Sequence, residues 1–194
     1  WMTDKPDENP NVFGRRLDRA KWPEVIESIG AYLLYAKRKY GFEPEMVSFN
    51  ESDIGVFVRM TPQEHRDWIK ALGARLAGLG LKTRLLLGDG VGRTNAAFIA
   101  PAAADAEAMK HVAAVAFHSW NKGPDDFRAW RDAARRLKLP LLVTEVGPNP
   151  QAHKDGSWNS VQYFTDELKM YQQLLLDAEP RALLEWTYAR GYPL

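Results

Sequence analysis

Two glutamates each follow a short apolar run, where a carboxylate is costly. Glu51 ends the stretch V-S-F-N-E, and Glu145 ends the stretch L-P-L-L-V-T-E. Moving a carboxylate from water into apolar surroundings costs free energy unless it is paired or hydrogen-bonded, so each position needs a reason. A single carboxylate at a strand end is commonly a cap or part of a salt bridge. Two of them on one face of a fold indicate paired acid/base chemistry.

Four further polar or aromatic residues follow apolar runs and are candidate site residues. They are Asp89, His118, Trp120 and Trp186. Asp89 suits either loop capping or substrate contact, and His118 suits either a structural or a functional histidine. The two indoles either plug the end of the fold or offer a flat apolar face to a sugar ring. For each residue, both interpretations stay open at this point.

The elements that must position these residues are short strands alternating with helices. Runs rich in Val, Leu and Phe predict strands buried on both faces, at residues 45–49, 83–87, 112–117, 139–143 and 182–186. The clearest helix opens with a capping box at Thr61 and Glu64, has Pro62 at its first position and stops at Gly80. Further helical spacings cover residues 26–40, 127–137 and 161–175, whereas Pro101 interrupts residues 95–110.

Alternating strands and helices imply parallel βαβ units, arranged either as a doubly wound open sheet or as a (β/α)8 barrel. A doubly wound nucleotide binder needs a glycine-rich turn, and the only candidate, residues 88–92, lacks the G-x-G-x-x-G spacing. Polar or aromatic residues instead follow all five predicted strands. Because the carboxyl ends of barrel strands converge on the active-site face, this pattern favours the barrel.

Composition excludes several classes of function. Lys and Arg number 26 against 25 for Asp and Glu, which gives no electrostatic footprint for nucleic acid or an anionic membrane. The chain has no cysteine, and His65, His111 and His153 lack metal-ligand spacing, so we expect neither a metal nor a cofactor. No apolar run reaches the roughly 18 residues of a membrane span. Localisation and oligomeric state are not encoded in any of these patterns.

Several short motifs occur in a fixed order along the chain: Asn50-Glu51, His118-Ser119-Trp120, Thr144-Glu145 and Glu185-Trp186-Thr187-Tyr188. This order resembles clan A of the retaining glycoside hydrolases, and Trp1-Met2 is similar to the tail of the S-P-P-x-W-M motif of family 30 and its relatives. The strand before Glu51 would be strand 4 of that clan, and the strand before Glu145 would be strand 7. Two departures are Ser52, where the clan often has Pro, and His118, where it often has Tyr.

The resemblance implies a retaining O-glycosyl hydrolase that cleaves β-glycosidic bonds in an oligo- or polysaccharide by double displacement. It implies that Glu145 is the nucleophile and Glu51 the acid/base, with Asn50 bound to the sugar 2-hydroxyl. We expect Asp89, His118, Trp120 and Trp186 to contact the carbohydrate. In a retaining enzyme, the two carboxyl groups lie about 5 to 5.5 Å apart.

Two alternative functions come from other classes. A non-catalytic carbohydrate-binding barrel would keep Trp120 and Trp186 but would not need both carboxylates. A nucleotide-binding α/β protein would place the glycines of residues 88–92 against a phosphate. Activity on a β-glycoside distinguishes the first from an enzyme, and stabilisation by a nucleotide would reveal the second.

The resemblance also predicts that residues 1–194 are a partial barrel. A complete (β/α)8 barrel takes about 250 residues and eight strands, whereas this sequence predicts five strands and the end of another. The chain would then run from the end of strand 3 through strand 8 and lack the N-terminal strands. The strands at residues 45–49 and 182–186 would be unpaired apolar edges, which are prone to aggregation.

Overall fold

The computed structural model describes residues 15–49, 51–53, 58–90, 96–149 and 151–186. Its strands form a sheet in sequential order, and the pairs with a defined register are parallel. The strands are β1 (Met46–Val47), β2 (Arg84–Gly90), β3 (Val112–His118), β4 (Leu141–Val146) and β5 (Ala182–Glu185). Parallel strands in sequential order with helical connections are the pattern that the sequence predicted for a barrel.

Helices of very different length connect the strands. The α-helices are α1 (Trp22–Tyr40), α2 (Pro62–Gly78), α3 (Ala100–Ala103), α4 (Ala106–Met109), α5 (Pro124–Leu137), α6 (Ala152–Asp155) and α7 (Val161–Gln173), and α7 continues as a π-helical turn, Leu174–Ala178. Short 3-10 helices occupy Arg19–Lys21, Ala96–Ile99 and Ser157–Asn159. Among the described residues, none of these helices has the length and apolar character needed to cross a membrane.

The segment around Pro101 shows how the chain accommodates a proline in a helical region. Pro101 lies in the first turn of α3, where its missing N–H is not needed. After Ala104 the chain restarts as α4, whose N-cap Asp105 accepts hydrogen bonds from the backbone of Glu107 and Ala108. The predicted interruption is therefore a break between two short helices.

All five predicted strands are present, but their ends differ from the prediction. β1 keeps only two residues of the predicted 45–49, and β2 extends to Gly90. β4 begins at Leu141 rather than at residue 139 because Lys138 takes a left-handed conformation (φ 56°) and the N–H of Leu139 still bonds Ala134 at the end of α5. The end of the helix therefore delays the start of the strand.

Contacts divide the described chain into two compact units. The first contains the described residues up to Gly90 together with Ala97–Ala113, and the second contains Ala96 and the residues from Ala114 onward. Glu51 and Asp89 belong to the first unit. His118, Trp120, Glu145 and Trp186 belong to the second.

In the first unit, α2 forms as its sequence predicts. The Thr61 hydroxyl accepts the N–H of Glu64 at 3.1 Å, and the Glu64 carboxylate accepts the N–H of Thr61 at 2.7 Å, which completes the capping box. The buried face of α2 carries Trp68. Its ring meets Trp22 edge-on, with centroids 5.2 Å apart, and lies tilted against Phe49, with centroids 4.2 Å apart. Trp22 and Trp68 are therefore packing residues of the first unit.

In the second unit, α5 covers the sheet through aromatic packing. Phe117 of β3 stacks on Trp130 with ring centroids 5.5 Å apart and lies 6.0 Å from Phe127. All three side chains are buried. Trp130 is therefore a core residue, and it packs against β3 one residue before His118.

The apolar stripe that predicted α7 is not the face that the helix buries. The residues Val161, Phe164, Leu168 and Leu175 are exposed, and the buried residues of this region are Met170, Leu174 and Ala178. Helical spacing indicated correctly that a helix forms here. It did not indicate which side of the helix packs against the described residues, because both sides carry apolar residues.

Candidate active site

β4 contains one residue more than its neighbours near Glu145. Against β3, Phe117 pairs with Val143, but the next residue, His118, pairs with Glu145. Against β5, the register also shifts by one residue between Val143 and Val146. An extra residue in one strand is a β-bulge, a feature that is common beside active sites and that re-aims a side chain.

The bulge changes the side of β4 on which Glu145 lies. Leu141 and Val143 are buried, so a regular alternation would bury position 145 next. The next buried position is instead Val146, while the Glu145 side chain is 25% exposed. The extra residue thus takes the carboxylate off the packed face of the strand, which explains how a strand that is otherwise apolar accommodates it.

One side chain hydrogen-bonds the Glu145 carboxylate, and a second lies close to the same oxygen. The indole N–H of Trp120 donates to Oε2 at 3.0 Å. Nδ1 of His118, whose side chain is 4% exposed, lies 3.2 Å from the same Oε2. Because an indole N–H can only donate, its contact orients Glu145 as an acceptor.

Trp120 is held over Gly147, in the loop that follows β4. The Ser119 hydroxyl donates to the carbonyl of Gly147 at 3.2 Å and accepts its N–H at 2.9 Å. A Cβ on Gly147 would lie 2.0 Å from Cη2 of Trp120, so only glycine leaves room for the indole. These contacts fix the position of the Trp120 ring, whose N–H donates to Glu145.

Trp186 completes the group of candidate residues in the second unit. It follows β5, and its ring meets that of Trp120 edge-on with centroids 5.6 Å apart. Trp120 is only 5% exposed, whereas Trp186 is partly exposed. Four of the predicted site residues, His118, Trp120, Glu145 and Trp186, are therefore brought together, and of the two indoles Trp186 has the more accessible ring.

In the first unit, Glu51 begins a tight turn. It is partly buried, while the next two residues, Ser52 and Asp53, are buried. The carbonyl of Ser52 accepts the N–H of Met60 at 2.8 Å. Two residues before Glu51, Phe49 packs on Trp68 and anchors this end of the segment. Asn50 lies outside the described residues, so its predicted contact with the sugar stays a prediction.

Asp89 lies in a backbone conformation that is rare for its type. Its φ is 57° and that of Gly88 is 98°, so two consecutive residues near the end of β2 lie in the left-handed region. Asp tolerates this region better than most residues. Gly90 follows, and a Cβ there would lie 2.8 Å from Cγ of Asp53. The turn therefore brings the buried Asp53 carboxylate against the segment that carries Asp89.

His65, whose spacing from the other histidines does not suit a metal, is a buried residue of this region. Its Nε2 accepts the N–H of Gly88 at 3.2 Å. Burial lowers the pKa of His65 to about 4, although the charges of Asp89 and Asp53 oppose that shift. A signal was present in the sequence, because His65 precedes Trp68, Ile69 and Leu72 at helical spacing and so lies on the buried face of α2.

The glycines near residue 88 do not form a phosphate cradle in the described part of the segment. The N–H of Gly88 is bound to His65, and the Asp53 carboxylate packs against Gly90. A carboxylate repels a phosphate at such a distance. Residues 91 and 92 of the predicted turn lie outside the described residues. The contacts of Gly88 and Gly90 argue against the nucleotide-binding alternative.

Several solved structures that are similar to this chain are named as glycoside hydrolases. A glycoside hydrolase family 30 endoxylanase from Clostridium papyrosolvens is 16% identical with a TM-score of 0.70, and the alignment covers 91% of this chain and 42% of that one. SrfJ from Salmonella typhimurium is 19% identical with a TM-score of 0.75, covering 99% and 43%. A family 39 β-xylosidase from Caulobacter crescentus is 17% identical with a TM-score of 0.64, covering 87% and 39%. No protein-family model and no curated protein matches the sequence.

This likeness shows the fold. The five parallel strands and their helices are those of an incomplete (β/α)8 barrel, as the sequence predicted. The chain spans less than half the length of the similar structures named above. At 16% to 19% identity, the similarity shows a shared fold and does not show a shared function. The chemistry depends on the side chains of the site.

Proposed function

We propose that this chain is part of the catalytic barrel of a retaining glycoside hydrolase that cleaves β-linked oligo- or polysaccharides. The observation that carries the proposal is the placement of Glu145. A β-bulge takes it off the packed face of β4, the Trp120 indole hydrogen-bonds its Oε2, and His118 lies 3.2 Å from the same oxygen. The fold supports the proposal, since similar structures include an endoxylanase, a β-xylosidase and an endo-β-1,6-glucanase.

In the first step of the proposed reaction, Glu145 attacks the anomeric carbon of the sugar. The Trp120 indole donates to Oε2 and His118 lies beside the same oxygen, so we assign the attack to Oε1. Glu51 gives its proton to the glycosidic oxygen, so the bond to the leaving group breaks as the bond to Glu145 forms. The product of this step is a glycosyl-enzyme ester and a free alcohol.

In the second step, the ionised Glu51 takes a proton from water. The water oxygen attacks the anomeric carbon from the face that the leaving group vacated, and the ester to Glu145 breaks. Two inversions at one carbon give net retention. Glu51 regains its proton and Glu145 its negative charge, so both residues return to their starting states.

Three of the remaining candidate residues, Asn50, Asp89 and Trp186, bind substrate in this proposal. Asn50 hydrogen-bonds the sugar 2-hydroxyl, a contact that strengthens in the oxocarbenium-like transition state. Trp186 offers a partly exposed indole face to a sugar ring, and Asp89 accepts hydrogen bonds from sugar hydroxyls. The buried indole of Trp120 acts through its N–H on Glu145 rather than as a stacking platform.

Variants of the two glutamates test the proposal. In the full-length protein, we expect Glu51→Ala to lower kcat by about 10²- to 10⁴-fold for a substrate with a poor leaving group. The loss should be smaller for an aryl glycoside whose leaving group needs no protonation. Glu145→Ala should abolish turnover of both substrates, because the covalent route is lost. Full activity of either variant on both substrates would contradict the assignment.

A further inference from the structure

We propose that His65 is a positioning residue: as a neutral ring with its proton on Nδ1, it holds the Gly88–Gly90 segment through Nε2 and so fixes the carboxylate of Asp89. The inference rests on the proposed function only for what Asp89 does, namely to contact the sugar. The arrangement of His65 itself rests on the described contacts of the first unit.

The segment that His65 holds does not take its shape from local preference. Gly88 and Asp89 both lie at positive φ, 98° and 57°. Such backbone conformations persist where the surrounding structure imposes them, and they occur often at functional sites. Asp89 is buried together with Asp53, so its carboxylate has little freedom to move once the backbone is set.

His65 supplies a contact that imposes this shape. The Gly88 N–H donates to Nε2 at 3.2 Å, in a buried environment. The ring is only 5% exposed and lies against Phe98, with centroids 5.1 Å apart. The backbone of His65 is fixed in turn, because its N–H bonds the carbonyl of the N-cap residue Thr61 at 2.9 Å. The cap of α2 is thereby connected to the position of Asp89.

The direction of the hydrogen bond determines the protonation state of the ring. Nε2 accepts from a backbone N–H, so it cannot carry a proton, and the proton of neutral His65 lies on Nδ1. Among the described residues, Nδ1 has no hydrogen-bond partner. Protonation of Nε2 would turn the acceptor into a donor that faces the Gly88 N–H. Burial opposes that protonation, while the nearby charges of Asp89 and Asp53 favour it.

Nitrogen-15 NMR of the histidine rings tests the arrangement without any assay of activity. We expect the His65 ring to show the Nδ1–H tautomer at pH 7, and we expect the Gly88 amide to exchange slowly. His65→Leu, which keeps apolar volume but offers no acceptor, should speed exchange at Gly88, and His65→Gln should restore part of the protection through its amide oxygen. An Nε2–H tautomer, or unchanged exchange in His65→Leu, would overturn the proposal.

Kinetics in the full-length protein test the link to Asp89. We expect His65→Leu to lower kcat/KM by about 10- to 100-fold, as a displaced binding group does. Asp89→Asn should cause a similar loss, and the double variant should lose little more than either single one. Leu76→Ala, a buried change in the same helix, is the control for lost stability alone. Additive losses, or an equal loss in Leu76→Ala, would contradict the positioning role.

The two tests separate the failure of this inference from the failure of the proposed function. A protein without activity on β-glycosides would disprove the glycosidase, while the NMR result would still decide whether His65 holds the segment. Conversely, an active enzyme with an Nε2–H tautomer at His65 would disprove the inference and leave the glycosidase intact.

Discussion

Trp120 donates its indole N–H to Oε2 of Glu145 across 3.0 Å. The two residues are 25 positions apart and belong to neighbouring parts of the sheet, since Trp120 follows β3 and Glu145 lies in β4. The contact links a buried aromatic ring to the carboxylate that we propose as the nucleophile. It therefore predicts that some core changes near Trp120 affect catalysis more than they affect stability.

Trp120→Phe tests this link by removing the N–H while keeping an aromatic ring. A hydrogen bond to a charged group is worth about 1.5 to 3 kcal/mol, so we expect kcat to fall by roughly 10- to 100-fold. The matched control is Trp130→Phe, which removes a buried indole N–H in α5. Denaturant unfolding should show a lower free energy of unfolding for both variants, but only Trp120→Phe should lose activity. Equal activity in the two variants would contradict the link.

Gly147→Ala places a methyl group against the same indole ring. The new Cβ would lie 2.0 Å from the Trp120 ring, so the ring must shift, and the geometry of its hydrogen bond to Glu145 must change. We expect a drop in kcat and a destabilisation of about 1 to 3 kcal/mol from overpacking. Gly78→Ala is the control, because no atom lies within 4 Å of its added methyl and the residue is helical. That variant should keep full activity and gain up to about 1 kcal/mol. Normal turnover in Gly147→Ala would argue against the role of Trp120.

The buried His65 predicts a loss of stability in acid. Its folded pKa of about 4 lies below the ordinary value of 6.5, so the folded state binds the proton less readily than the unfolded state. The contribution of neutral His65 to the free energy of unfolding is therefore fully present above pH 6.5. It is lost as the pH decreases toward 4, by roughly 3 kcal/mol in total. Denaturant unfolding at a series of pH values measures this slope. His65→Leu should remove this part of it, and an unchanged slope in that variant would contradict the assignment.

The carboxyl group of Glu185 should give the opposite dependence of stability on pH near neutral pH. Glu185 lies at an exposed end of β5, but partial burial of its carboxyl group still raises its pKa to about 7, and the carboxyl hydrogen-bonds Tyr171 and Glu167. Because the folded pKa lies above the ordinary 4.5, the stabilising proton is present at low pH and is lost as the pH rises toward and past 7. We expect the Tm to fall between pH 5 and pH 8, and Glu185→Gln to flatten that fall.

The control for Glu185 is Glu107→Gln, which changes an exposed carboxylate paired with Lys110 within one helical turn. It should leave the pH dependence of the Tm unchanged. The pH dependence due to His65 is first removed by measuring the Tm in the His65→Leu background. If the Tm is then flat or rises between pH 5 and pH 8, Glu185 is ionised throughout this range and the prediction fails.

Local patterns in the sequence were sufficient to predict the strands and the first turn of α2. Apolar runs marked all five strands, and the spacing of Thr61, Pro62 and Glu64 predicted a capping box that the structure contains. These features depend on residues that are close together along the chain. The order of the motifs resembles that of clan A of the glycoside hydrolases, and the barrel that this resemblance implied is confirmed.

The features that shape the site could not be predicted, because they depend on neighbouring strands. The letters L-L-V-T-E-V do not reveal that β4 gains a residue against both β3 and β5, since a bulge is defined by the partner's register. The contact between His65 and Gly88 spans 23 positions, and burial of the Trp120 ring depends on Gly147. The distance between the carboxyl groups of Glu51 and Glu145 stays a prediction.

Trapping of the covalent intermediate tests the central claim most directly. A 2-deoxy-2-fluoro-β-glycoside with a good leaving group slows both steps but spares formation of the ester, so the glycosyl-enzyme accumulates. Mass spectrometry of the digested full-length protein should then find one fluorosugar on the peptide that contains Glu145, and none on the Glu145→Gln variant. A label on another residue, or an unlabelled protein that still hydrolyses β-glycosides with inversion, would contradict the account.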